Sequence, residues 1–383
     1  MKSAFGEKKR PGLRRRRRIT WIGAALVAAV LVLGCSNPAS NNSNNTTAYE
    51  TYLYMTEGNN NYVYTYSPSS HAASSTALLT APGKYAGEIK FYKGIGYIAM
   101  GGGGVDYFDP SATVPSATQI TGSGTINAQY FAFYNATQAY VSAAGTNAAG
   151  GGTGAVYSFN PSNLGAGLTQ VDGANACNYM QEIIVGSDNY IYVAEPIAQQ
   201  VQRIDPSTDK VVFTITTSSP GTTGLYAGSY KGSAGIFVAN VGTAAGITTD
   251  GSIDFIPNAT SPTSNGLVQV LAPSLTVFPG RLVQLANGNL VAVGYDASWV
   301  GHTYLISLTN GAATVSEIKA GTKSFGFLDV AYNSSSGLVY VPTNNGTNNL
   351  LYVFDASGTQ QAYSPVTVMT NSEYIANVAF YQD

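Results

Sequence analysis

Only 10% of the 383 residues are Asp, Glu, Lys or Arg, well under half the roughly 25% of an ordinary soluble domain. Basic residues are scarcer still where it matters. Nine of the eighteen Lys and Arg fall in the first eighteen positions, the run Arg14 to Arg18 among them. From Cys35 onward nine basic residues stand against nineteen acidic ones, a net charge of -10. Such a body has no cationic face for a phosphate backbone, which argues against nucleic acid as a partner. Two Cys and two His in the whole chain leave no zinc cluster, no haem attachment motif and no disulfide framework. Apolar matter is plentiful by contrast. Hydrophobic residues make up 44% of the chain and Tyr alone occurs 27 times, enough to bury a core of several hundred residues.

The N-terminus reads as an export signal. After the basic stretch comes an apolar run over residues 19–33, about fifteen residues, shorter than the roughly twenty a membrane-spanning helix needs and within the range of a signal-peptide core. It ends Leu31-Val-Leu-Gly-Cys35, which resembles a bacterial lipobox. That resemblance implies cleavage after residue 34 and a lipid on Cys35. Ser36 follows, in place of the Asp that by the same resemblance holds lipoproteins in the inner membrane, so in a diderm host the outer membrane is expected. Residues 35–47, SNPASNNSNNTT after the Cys, carry almost nothing apolar and form a flexible tether. A dozen extended residues reach about 40 Å, enough to hold a domain clear of lipid headgroups.

Residues 48–383 are repetitive. A β-rich tetrad recurs seven times: Tyr52-Leu-Tyr-Met55, Tyr97-Ile-Ala-Met100, Ala139-Tyr-Val-Ser142, Tyr190-Ile-Tyr-Val193, Gly235-Ile-Phe-Val238, Leu290-Val-Ala-Val293 and Leu338-Val-Tyr-Val341, spaced about 48 residues apart. That spacing lies slightly above the roughly 40–45 residues of common propeller blades. A second strand follows each tetrad and ends in a turn, as at Phe108-Asp-Pro-Ser111, Phe159-Asn-Pro-Ser162, Ile204-Asp-Pro-Ser207 and Phe354-Asp-Ala-Ser357. An Asp or Asn there can accept a bond from the backbone two residues on, so Asp109, Asp205 and Asp355 read as turn residues. The glycines at 101–104 read as a tight strand connection, because a strand follows them where a phosphate-binding loop would need a helix. A further strand precedes six of the tetrads. The first lacks one, and Asn377-Val-Ala-Phe-Tyr381 has the missing pattern with no tetrad after it. The fold expected is all-β: a seven-bladed β-propeller of four-stranded antiparallel blades, its ring closed by the C-terminal strand joining the N-terminal blade.

The blade from Tyr190-Ile-Tyr-Val-Ala-Glu through Val201-Gln-Arg-Ile-Asp-Pro-Ser resembles a YVTN-type propeller repeat, and Leu338-Val-Tyr-Val-Pro-Thr-Asn-Asn345 resembles it more loosely. The resemblance implies an exported propeller and leaves its activity open. Inner strands line the channel of such a ring, and the residues at or before their starts are Glu88, Gln129, Glu182, Ser229, Arg281, Asp329 and Asn377. The charged members could clamp a polar ligand or a divalent cation such as calcium, or form a solvated ring; no other cofactor and no catalytic residue is assigned. Tyr85, Tyr179, Tyr226, Phe278, Phe325 and Tyr374 precede the same strands, as packing between blades or as a rim for a ligand. The loop carrying Asp296, Trp299 and His302 is a second candidate patch. Lone Cys177 reads as a buried apolar residue.

Three functions fit. The first is a monomeric, lipid-anchored binding module for an envelope or extracellular protein or polysaccharide. The second is a propeller enzyme, lactonase-like or lyase-like, with a cation site at the channel. The third is a scaffold in envelope assembly.

Overall fold

The computed structural model describes residues 52–145, 154–171, 180–242, 250–258, 266–274, 278–296, 298, 300–308, 312–320, 329–370 and 374–381. Seven antiparallel sheets follow one another along the chain. Blade 1 takes its innermost strand from the C-terminus: Ile375–Phe380 pairs with Leu53–Glu57, with Met55 opposite Val378. The other inner strands are Ala86–Tyr92, Asn127–Asn135, Ile183–Val185, Thr222–Tyr230, Arg281–Gln284 and Ala331–Asn333, opening blades 2 to 7 in order. Each tetrad lies in the second strand of its blade. Six blades have four strands, whereas blade 1 has five, because both Ala72–Ala73 and Leu79–Thr80 pair with Tyr62–Ser67. A 3-10 turn spans Leu164–Ala166.

Burial explains why the tetrads dominate the sequence pattern. The second strand of a blade has another blade against each of its faces. All five residues of Ile191–Glu195 are accordingly buried, and the strand reads as a continuous apolar run rather than an alternating one. The outermost strand of the same blade, Lys210–Thr216, is mostly exposed and buries only Ile215. The core forms seven clusters, and each one joins two neighbouring blades. Leu53, Tyr66 and Val378 of blade 1 meet Tyr340 and Leu351 of blade 7. Tyr54 meets Ile89, Phe91 and Phe108 across the next junction, and the remaining five clusters complete the circle.

The turns follow the chemistry of their first residues. Ser111 N–H donates to Asp109 Oδ1, Ser207 N–H to Asp205 Oδ1 and Ser357 N–H to Asp355 Oδ1, all at 2.8 Å. Asn160 accepts from Ser162 in the same way. The Ser357 hydroxyl, with the backbone N–H groups of Thr359 and Ser357, holds the Asp355 carboxyl below its ordinary range. Gly101 to Gly103 make the tight link between the second and third strands of blade 2. A Cβ on Gly103 would lie 2.8 Å from Gly83 Cα, so the link packs too closely on the preceding connection for any side chain there.

Ring closure generates a prediction. Deleting residues 375–383 strips Ile375 and Val378 from the blade 1 to blade 7 core and leaves Leu53–Glu57 as an open edge. The truncated chain is expected to aggregate and to lose its cooperative melting transition in circular dichroism. A truncated monomer melting within a few degrees of the full chain would show that the C-terminal strand does not hold the ring.

Candidate functional site at the channel mouth

An innermost strand is the inner edge of its sheet, so alternate N–H groups point away from its one partner and need acceptors. The side chains near the starts of these strands supply them, each reaching to the next blade. Asn377 Oδ1 of blade 1 accepts Ile89 N–H at 2.9 Å, and Glu88 Oε2 of blade 2 accepts Phe131 N–H. Glu182 Oε2 beside blade 4 accepts Leu225 N–H at 2.7 Å. Asp329 Oδ2 beside blade 7 accepts Val378 N–H at 2.9 Å, closing the circle on blade 1.

The second carboxylate oxygens face cations. Arg281 Nη1 lies 3.2 Å from Glu182 Oε1 and Arg281 Nε lies 3.3 Å from Asp329 Oδ1. The guanidinium sits over the Tyr130 ring, 4.6 Å from its centroid, where the ring face attracts it further. Asn377 Nδ2 donates to Asp329 Oδ2 at 2.6 Å. Lys90 Nζ donates to Phe131 O at 2.8 Å and lies 3.8 Å from Glu88 Oε1. Three acids and two bases thus meet on the axis, all buried or nearly so except Lys90.

Burial governs the electrostatics. It pushes the Glu182 carboxyl up to about 7, against the pull of Arg281 and of Leu225 N–H. It also raises Glu88 and Asp329. For Arg281 burial opposes the charge, but Glu182 and Asp329 outweigh it and the guanidinium is held all the more firmly protonated. A divalent cation at this mouth would have to displace Arg281 from two carboxylates. Among the described residues no group of three His, Cys, Asp or Glu side chains is placed to hold a metal ion.

Glu88, Glu182, Arg281, Asp329 and Asn377 are therefore brought together, and two other expected positions are not. Gln129 turns away and donates through Nε2 to Asn127 Oδ1 at 2.7 Å, while its neighbour Tyr130 takes the axial place. The cause is register: Phe131 N–H bonds Glu88 as Ile89 N–H bonds Asn377, so Tyr130, the residue before Phe131, matches Glu88, and in a strand a one-residue offset turns a side chain to the other face. Ser229 lies near the opposite end of Thr222–Tyr230, paired with Ala234 beside the following turn. Tyr130 and Lys90 join the site without having stood among the candidates read from the sequence.

In the second patch, His302 Nδ1 lies 2.6 Å from Glu317 Oε1 and its Nε2 3.5 Å from Asp296 Oδ2. Phe278 and Tyr304 flank the imidazole. Glu317, on the outer strand of blade 6, had no sequence signal. Backbone bonds from Val300 and Ser298, together with His302, outweigh desolvation and hold the Asp296 carboxyl low. Trp299, Cys35, Cys177, Tyr179 and Phe325 lie outside the described residues. Tyr226 packs into the core, and the Tyr374 ring fills the space where Gly58 lacks a side chain.

No protein-family model and no curated protein sequence matches this chain. Solved structures do resemble it. A functionally unknown protein from Desulfotomaculum acetoxidans has a TM-score of 0.60 at 13% identity, covering 87% of this chain and 99% of its own. A putative 6-phosphogluconolactonase from Bacteroides fragilis also scores 0.60, at 12% identity, over 88% and 100%. Virginiamycin B lyase from Staphylococcus aureus scores 0.55, at 11% identity, over 77% and 92%. Likeness at this identity establishes the propeller fold.

The buried acids generate two predictions. Glu182 titrates near 7 when folded and near its ordinary value of about 4.3 when unfolded, so the folded state binds its proton more tightly. Its contribution is full below about pH 4 and is lost as pH rises through about 7. Melting temperature should fall from pH 5 to pH 8, and Glu182→Gln should flatten that fall; a melting temperature rising over this range would refute it. Arg281→Met leaves Glu182 and Asp329 without their cation and should cost about 3–5 kcal/mol in denaturant unfolding, with a loss under 1 kcal/mol contradicting the pairing.

Proposed function

We propose that this chain is a lipid-anchored, extracytoplasmic propeller of the YVTN-repeat kind that works as a binding module, its loop-bearing end turned toward an envelope polysaccharide or protein. The observation that carries the reading is the commitment of the channel-mouth charges. Glu88, Glu182 and Asp329 each have an oxygen bonded to a backbone N–H of the next blade, and the other oxygens face Lys90 or Arg281. Groups so engaged hold blades together, and using one for proton transfer or metal binding would first break a junction.

Binding then falls to the connections around that mouth, where loops vary without disturbing the blades. In blades 3 and 5 the C-terminal end of the second strand, at Ala144 and Asn240, and the start of the third, at Ala155 and Gly251, lie at the same end as the charged ring. A lactonase-like or lyase-like activity draws on fold alone, since the similar structures share so little sequence.

The test separates address from activity. Full-length protein should fractionate with the envelope and Cys35→Ala should be released in soluble form. The released protein should still co-sediment with washed envelope fragments and should open no lactone supplied as substrate. Loss of envelope binding together with lactone turnover would replace this reading by the enzymatic one.

A further inference from the structure

Tyr85 is the unusual residue of the mouth. It has φ +59°, a conformation that costs a bulky side chain energy and is found where surrounding structure imposes it. It is also 58% exposed, so no burial of its ring repays that cost. Two hydrogen bonds impose the geometry: Gly101 N–H donates to Tyr85 O at 2.8 Å and Gly102 N–H to Lys84 O at 2.9 Å. The glycine link forms a shelf for the ring. A Cβ on Gly102 would lie 3.1 Å from Tyr85 Cδ2, and one on Gly101 would lie 3.4 Å from both Tyr85 Cβ and Asn127 Oδ1. Behind the shelf stands an amide pair, Gln129 Nε2 donating to Asn127 Oδ1 at 2.7 Å and Asn127 Nδ2 to Gly145 O at 3.4 Å.

We infer that Tyr85, Asn127 and Gln129 form a saccharide subsite, in which the exposed Tyr85 ring stacks on the C–H face of a pyranose while the two amides bond its hydroxyls. The inference rests on the binding reading above and names its ligand class. An aromatic face is electron-rich and attracts the polarised C–H groups of a sugar ring, and planar amides offer donors and acceptors side by side to paired hydroxyls. A protein partner would call for a contiguous apolar centre with several anchors. The other exposed large apolar side chains among the described residues, Val114, Ile197, Val212 and Val268, belong to other connections or to outer strands, so none of these four shares the connection that carries Tyr85.

The left-handed backbone supplies a clean test, since glycine adopts φ +59° without strain. Tyr85→Gly should melt at or above the wild-type temperature, whereas binding should fall at least about tenfold. Cellohexaose, chitohexaose and mannohexaose are to be titrated into the full-length protein and followed by saturation-transfer NMR. At least one is expected to bind, with saturation strongest on its axial C–H protons; Tyr85→Phe should keep that binding and Gln129→Ala should weaken it. Binding of none of the three, or equal binding by Tyr85→Gly, overturns the subsite. If envelope fragments still co-sediment in that event, the binding module stands and only its saccharide ligand fails. Retention of an envelope protein through Tyr85 in place of the sugars would also overturn it.

Discussion

The structure depends on one constraint: an innermost strand has hydrogen-bonding groups on the side where no further strand can lie. Seven sheets arranged around an axis create seven such inner edges. Ile89, Phe131, Leu225 and Val378 resolve the problem in the same manner, each donating its N–H to a side chain one blade back. A fifth junction uses Gln284 of blade 6, which accepts from Ser229 N–H and donates to Ser229 O of blade 5. The bonds that satisfy the edges therefore also join the blades. Because burying acceptors of this kind is costly unless they are paired, Arg281 and Lys90 follow from Glu88, Glu182 and Asp329.

This accounts for the use made of so few charges. Of the nine basic residues after the leader, two are taken by the axis and a third, Arg203, is buried against Tyr190 and paired with Asp188 at 3.0 Å. Asp109, Asp205 and Asp355 shape turns. Asp106 and Asp254 lie buried in third strands and fasten the connections that enter their blades, through Gly83 N–H and Ser218 N–H. These charges are internal fastenings, whereas Lys84 beside Tyr85 is exposed and the Asp296, His302 and Glu317 group is partly so. Tyr85 itself is held in the left-handed region with an exposed ring.

The repeat made the architecture legible. Second strands are buried on both faces, so Tyr190-Ile-Tyr-Val193 and its six counterparts are almost wholly apolar, with Ser142 the polar exception, and such runs can be counted without a structure. The missing strand before Tyr52 and the spare one near Val378 pointed to closure. Inner strands are harder to place, because they range from three residues in Ile183–Val185 to nine in Asn127–Asn135 and Thr222–Tyr230, alternate in exposure and carry no tetrad. An offset of one residue in blade 3 puts Tyr130 rather than Gln129 on the axis, and Ser229 falls near the far end of Thr222–Tyr230. Glu317 carries no signal because it meets His302 across 15 residues, whereas Lys90, on the same strand as Glu88, is placed by the alternation of that strand.

Native-state hydrogen exchange at the axial amides tests the central claim most directly. If side chains of neighbouring blades seal the inner edges, the N–H groups of Ile89, Phe131, Leu225 and Val378 will exchange only through global unfolding, as slowly as the amides of the second strands. Exchange of these four at the rate of exposed turn amides such as Ser111 and Ser357 would contradict the account, leaving the ring held by apolar packing alone.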